Sequence, residues 1–120
     1  HALPDCRFVE GFGLVADCLR LSEKAAAAEV VFTGEGRLDE SSLSGKGPIA
    51  LLRMIPEGTR VHFLAGAVDD KVAAALAKEV SGLQLTITPL SHPEEPLGKA
   101  MARTREAIAE TVAAIFRDAR

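Results

Sequence analysis

The sequence has no tryptophan and no tyrosine, and five phenylalanines make up its 4% of aromatic residues. So sparse a set gives few platforms on which single-stranded bases could stack. Its two cysteines, Cys6 and Cys18, stand at no metal-ligand spacing and read as free thiols in a reducing cytoplasm. An excess of positive charge is also missing: 14 Lys and Arg against 17 Asp and Glu give a net charge of −3. That balance supplies no basic field for nucleic acid and no polybasic patch for a membrane surface. No apolar run approaches the roughly 20 residues of a membrane-crossing helix, and no signal peptide opens the chain. The expectation is a cytoplasmic protein with neither nucleic acid nor membrane as partner. A chain that opens on His1 rather than Met is also expected to be an excised or processed piece.

What is present suits one folded domain. The 120 residues are 48% hydrophobic and 26% charged, enough to bury a core without disulfide or metal staples. Residues 8–28 read as helix, broken near 19–22 where the apolar spacing shifts. Residues 29–33 are β-branched and aromatic and end at a glycine, which predicts a buried strand. Gly47-Pro48 opens a helix to about Ile55, since proline in a first turn forfeits no hydrogen bond. Pro56-Glu57-Gly58 ends it. Residues 60–64 form the second strand and 65–68 its outgoing loop. Asp69 or Asp70 caps a helix to about Val80. Residues 83–88 alternate apolar and polar as a third strand, and 89–96 are a proline-punctuated loop. A long final helix then carries Leu97, Met101, Thr104, Ile108, Val112 and Ile115 at spacings of three and four, a stripe expected to pack in a core or interface.

Helices and strands that alternate with short connections predict an α/β fold, a Rossmann-like parallel sheet flanked by helices. Residues 1–120 are then a single α/β domain. In such a sheet the loops after Thr33, Leu64 and Thr88 all emerge at one carboxyl edge, where open α/β sheets bind ligands. The first is chemically dense: Thr33-Gly34-Glu35-Gly36-Arg37-Leu38-Asp39, followed by Ser44-Gly45-Lys46-Gly47-Pro48. Four glycines, two carboxylates, an arginine and a lysine form an inventory for handling phosphate or metal. The second loop is Ala65-Gly66-Ala67-Val68-Asp69-Asp70 and the third holds Ser91-His92-Pro93-Glu94-Glu95. The plain alternative is that Glu35–Arg37 or Arg37–Asp39 is a surface ion pair and the glycines only make turns.

Two familiar nucleotide motifs fail here. Gly34-x-Gly36 follows a strand, but the third glycine of a dinucleotide fingerprint is replaced by Asp39, whose charge repels a pyrophosphate. Gly45-Lys46 has the P-loop dipeptide, yet Glu40 stands at the first glycine position and Gly47 replaces the magnesium-binding Ser or Thr. His62, inside the second strand, is expected to be a satisfied core or edge histidine, and His92 a solvated one.

The block from Thr33 to Asp39, with Ser42-Leu43-Ser44-Gly45-Lys46-Gly47-Pro48 behind it, closely resembles the signature of the glycerate kinase family. Gly11-Phe12-Gly13-Leu14-Val15-Ala16-Asp17 and Ala65-Gly66 fall where that family has comparable segments. The resemblance implies the C-terminal portion of a longer two-domain enzyme, with the active site in the cleft between domains. It implies ATP and Mg²⁺ as cofactors and D-glycerate as phosphoryl acceptor. On this basis Asp39, Lys46 and Arg37 are the catalytic candidates, with Asp39 as base, Lys46 neutralising the transferred phosphoryl group and Arg37 clamping a carboxylate or phosphate. Gly34, Glu35, Gly36, Ser44, Gly45 and Gly66 are the cofactor-binding candidates, and Glu35 and Asp39 the metal ligands. The implied partners are the small-molecule substrates and an N-terminal domain, while the choice between a monomer and a homo-oligomer stays open. The other class of reading is a non-catalytic α/β module that binds a partner chain.

Overall fold

The computed structural model describes residues 8–45 and 47–118; Cys6 and Lys46 lie outside the described residues. Its elements are α1 (Gly11–Leu19), α2 (Leu21–Ala27), β1 (Val30–Leu38), a 3₁₀ turn (Glu40–Ser44) and α3 (Gly47–Met54). There follow β2 (Arg60–Val68), α4 (Asp70–Glu79), β3 (Gln84–Pro89), α5 (Leu97–Ala102) and α6 (Thr104–Asp118). The strands form one parallel sheet in the order β1-β2-β3. This is the expected α/β architecture. Among the described residues no helix is long and apolar enough to cross a membrane.

The break expected near residues 19–22 falls at Arg20, which adopts a left-handed conformation at φ 54° and separates α1 from α2. Asp69 caps α4, its carboxylate accepting from the backbone N–H groups of Lys71 at 2.9 Å and Val72 at 3.2 Å. Such a cap satisfies donors that the first helical turn leaves orphaned. Gly58, at φ 81°, turns the chain from α3 into β2, and its N–H donates to the Gly82 carbonyl at 2.8 Å. That bond ties together the turns at the amino ends of β2 and β3.

The core lies between the sheet and helices α3 and α4. Val61 and Phe63 of β2 pack there with Ile49 and Leu52 of α3 and Leu76 of α4. Each of these side chains is at most 1% exposed. Fully burying a large apolar side chain contributes roughly 1.5–3 kcal/mol, so this layer is the main source of cohesion. The other face of β1 and β2 carries Phe32 and His62, paired across the strands and stacked with ring centroids 5.1 Å apart. Phe116 of α6 tilts against Phe32 at 5.8 Å.

Three expectations need correction. The first two strands do not stop at Thr33 and Leu64. They run on together to Leu38 and Val68, with Glu35 opposite Ala65 and Arg37 opposite Ala67. The glycine-rich segment is therefore strand rather than loop. Mutual hydrogen bonding of two glycine-bearing strands overrides glycine's weak strand preference, which depends on context.

The final helix, secondly, is two. Thr104 donates its hydroxyl to the Ala100 carbonyl at 3.0 Å, a back-bond that competes with the helical ladder where α5 gives way to α6. Thirdly, the apolar stripe is not packed at its start, since Leu97 is 74% and Met101 68% exposed.

Candidate functional site

The carboxyl halves of β1 and β2 approach so closely that glycine is required at two places. A Cβ on Gly34 would run into the Leu64 carbonyl, and one on Gly66 would lie 2.5 Å from the Gly36 carbonyl oxygen. Both positions demand the absence of a side chain on steric grounds. At Gly36 the reverse holds: nothing lies within 4 Å of where a Cβ would stand. The missing side chain there leaves open space beside the strand.

That space belongs to a cavity of about 630 Å³. One wall is the strand ends, with Gly34, Glu35, Gly36, Arg37 and Gly66; the other is α5 and α6. Its volume falls in the usual range for small-ligand pockets. The structure thus brings together five of the residues singled out in the sequence. Asp39, Ser44 and Gly45 do not line the cavity, and Lys46 lies outside the described residues.

Asp39 sits at the head of the 3₁₀ turn as its cap. Its Oδ1 accepts from the Ser41 hydroxyl at 2.6 Å and the Ser41 N–H at 3.0 Å. Its own N–H donates to the Ser42 hydroxyl at 3.2 Å, completing a capping box. These bonds from Ser41, with the Arg37 guanidinium adding to them, hold the Asp39 carboxyl below the ordinary carboxylate range. The Arg37 Nε lies 3.4 Å from Asp39 Oδ2, with the arginine side chain 76% exposed. The surface pair weighed from the sequence is therefore real, and as an exposed pair it adds little stability.

Beyond it, the Ser44 hydroxyl donates to the Ser41 carbonyl at 2.7 Å. Gly45 closes the turn at φ 83°, in the left-handed region that favours glycine. Arg53 reaches back over this turn, its Nη2 donating to the Leu43 carbonyl at 3.4 Å while its Nε pairs with Glu79 at 2.7 Å.

Glu35 is the most exacting group in the cavity wall. Its Oε1 is buried and has no hydrogen-bond partner among the described residues. A buried carboxylate oxygen without a donor is costly, which makes it a ready acceptor for a ligand hydroxyl or a hard cation. No three His, Cys, Asp or Glu side chains come together as a metal cage among the described residues. Magnesium usually takes only one or two carboxylates, the rest of its shell being water and phosphate. Glu35 fits that demand.

His62 departs from expectation. It is buried, but neither ring nitrogen has a partner among the described residues. Burial, and secondarily the charge of Arg60, pushes its pKa below 6.5. Ser91 was given no individual role in the sequence, yet its hydroxyl donates to the Gly66 carbonyl and lines the cavity. Its place in the third carboxyl-edge loop was the available signal.

The family model described as the glycerate kinase family matches residues 1–120. A glycerate kinase of Neisseria meningitidis serogroup B is 33% identical over 67 residues, covering 56% of this chain and 18% of its own. One from Haemophilus influenzae is 43% identical over 51 residues, covering 42% of this chain and 14% of its own. An uncharacterized protein of Mycobacterium bovis is 38% identical over 82 residues, 66% of this chain and 21% of its own. The matched segments thus span about a fifth or less of these relatives' lengths. With the whole sequence matched by the family model, and with the glycine-lined sheet edge in place, the chain belongs to the glycerate kinase family.

Proposed function

We propose that this chain supplies one wall of the active-site cleft of a glycerate kinase, which transfers the γ-phosphoryl group of ATP to a hydroxyl of D-glycerate. The gathering of Gly34, Glu35, Gly36, Arg37 and Gly66 on one cavity wall, at the carboxyl ends of parallel strands, carries this reading. Ligands of open α/β sheets bind at that edge.

Phosphoryl transfer depends mainly on positioning and on neutralising charge, and little on strong bases. Glu35, whose buried Oε1 has no partner among the described residues, would hold Mg²⁺ or orient the acceptor hydroxyl. Asp39, its pKa held down by Ser41, stays anionic at neutral pH and serves as the second carboxylate. In that role it receives the acceptor proton as the hydroxyl oxygen is phosphorylated. Mg²⁺, when bound, would supply charge neutralisation for the phosphates. Arg37 clamps the glycerate carboxylate with its planar fork. Lys46 neutralises charge on the transferred group, and Gly36 and the Ser44–Gly45 turn leave backbone room for phosphate. The remainder of the protein forms the other wall of the cleft.

The test is activity with Mg-ATP and D-glycerate. The protein containing this chain should form phosphoglycerate, and the 120 residues alone should not. Lys46→Ala and Asp39→Asn should each lower kcat on the order of a hundredfold. Effects confined to KM and within about threefold would return both residues to structural roles. A second reading, a non-catalytic module that docks on a partner chain, draws on the exposed Leu14, Val15 and Leu19 of α1. Absence of phosphoglycerate from the complete protein would favour it.

A further inference from the structure

The turn from Asp39 to Gly45 is held differently at its two ends. At its head, Asp39 and Ser42 close the capping box, and the Ser42 hydroxyl also donates to the Arg37 carbonyl at 3.3 Å. These bonds join the turn to the end of β1. At its tail, the Ser44 hydroxyl reaches back only to the Ser41 carbonyl, inside the turn itself. A short 3₁₀ segment has poor hydrogen-bond geometry of its own. Among the described residues, the polar group that reaches this tail from another element is the Arg53 guanidinium.

Arg53 stands in the last turn of α3 and uses each edge of its planar fork. Its Nε binds Glu79 at 2.7 Å, and its Nη2 donates to the Leu43 carbonyl at 3.4 Å. Its Nη1 lies 2.6 Å from where a Cβ on Gly45 would stand. A side chain at Gly45 would have to displace that guanidinium, over and above the strain of a φ of 83°. Glu79 is the last residue of α4, where a carboxylate opposes the helix dipole. The Arg53 and Glu79 side chains are 44% and 40% exposed, so their pair adds little to overall stability. What the pair does fix is the direction of the fork, which a lone exposed arginine would not keep.

Lys46 follows Gly45 directly in the sequence. We infer that Arg53, steadied by Glu79, is a positioning residue for phosphoryl transfer: it fixes the tail of the turn and so the point from which Lys46 departs. This rests on the kinase reading, in which Lys46 neutralises the transferred group, and it adds two residues that lie outside the signature block. Lysine in place of Arg53 keeps the charge but loses the fork, so it cannot bind a carboxylate and a carbonyl in one plane.

In the complete protein with Mg-ATP and D-glycerate, Arg53→Lys should lower kcat on the order of tenfold, with both KM values changed less than about threefold. Its melting temperature should stay within about 2 °C of the unmodified protein's, as exposed substitutions usually do. A larger fall would mark a role in stability and overturn the assignment. Glu79→Gln loosens the same fork, so it should also lower kcat and add little when combined with Arg53→Lys. In a Lys46→Ala background Arg53→Lys should change kcat less than about twofold, because the group it positions is gone. An unchanged kcat in Arg53→Lys, or a loss undiminished in Lys46→Ala, overturns the assignment and leaves the kinase reading intact. Limited proteolysis reads the clamp without turnover: trypsin should cut after Lys46 at least about threefold faster in Arg53→Lys. An unchanged cleavage rate overturns the assignment. If the unmodified protein forms no phosphoglycerate, the kinase reading fails, and the cleavage rate still decides whether Arg53 holds the turn.

Discussion

Toward α3 and α4 the sheet presents Val61, Phe63 and Ala65 with no exposed surface, whereas toward α5 and α6 it presents Phe32, a His62 without a partner among the described residues, and a cavity of about 630 Å³. The same two strands build both faces. One face is filled by packed side chains; the other is left open, lined by glycine and bordered by helices whose apolar residues are uncovered. Close packing lowers free energy, and a hollow bordered by an orphaned carboxylate does not. The contrast separates what holds the domain together from what it holds for a ligand.

The contrast can be broken most decisively at Phe63. Replacing it with alanine should destabilise the protein by about 3–5 kcal/mol in denaturant titration, as core cavities do. A loss below about 1 kcal/mol would mean the α3–α4 layer is not the main core. The paired glycines come next. Gly34→Ala should cost about 1–3 kcal/mol through collision with the Leu64 carbonyl. Gly36→Ala, which meets open space, should cost less than about 0.5 kcal/mol in that titration yet raise KM for ATP in steady-state kinase assays. Equal stability losses at the two glycines would erase the distinction between packed and open backbone.

His62 sharpens the comparison through pH. Its folded pKa lies below 6.5, so the unfolded chain binds a proton where the folded one does not. Stability is then full above about pH 6.5 and falls as pH drops toward the folded value, by at most about 1.4 kcal/mol per unit. His62→Phe should flatten that acid-side slope in thermal melts; an unaltered slope would show that the imidazole is not desolvated. Smallest of all, Met101→Ala should shift stability by less than about 0.5 kcal/mol, because the side chain is already exposed.

Much of this was legible in the residues. Gly-Pro helix entry, the Asp69 cap, the Gly58 turn and the break at Arg20 are local matters, each decided by a few neighbouring atoms. The chemistry of Thr33–Asp39 was equally visible as an inventory. What misled was glycine itself. Residues 34–38 read as loop because glycine is a poor strand former, and only the neighbouring strand, 30 residues on, makes them strand. His62 reads as a satisfied histidine until the described residues around it are seen to offer no partner. The closing stripe reads as one packed helix until Thr104 interrupts it and a cavity lies beneath its first turn.

The sequence by itself determined the alternation of helix and strand, the caps and turns, and which residue types could handle phosphate, because these depend on short-range sterics and on side-chain chemistry. Tertiary structure decided that Gly34 and Gly66 face backbone while Gly36 faces open space, and that Glu35 and Arg37 share a wall from which Asp39 is absent. It also set Ser91 and α5 across from them. Those outcomes turn on the register of two parallel strands and the path of a distant helix, and no local preference encodes either.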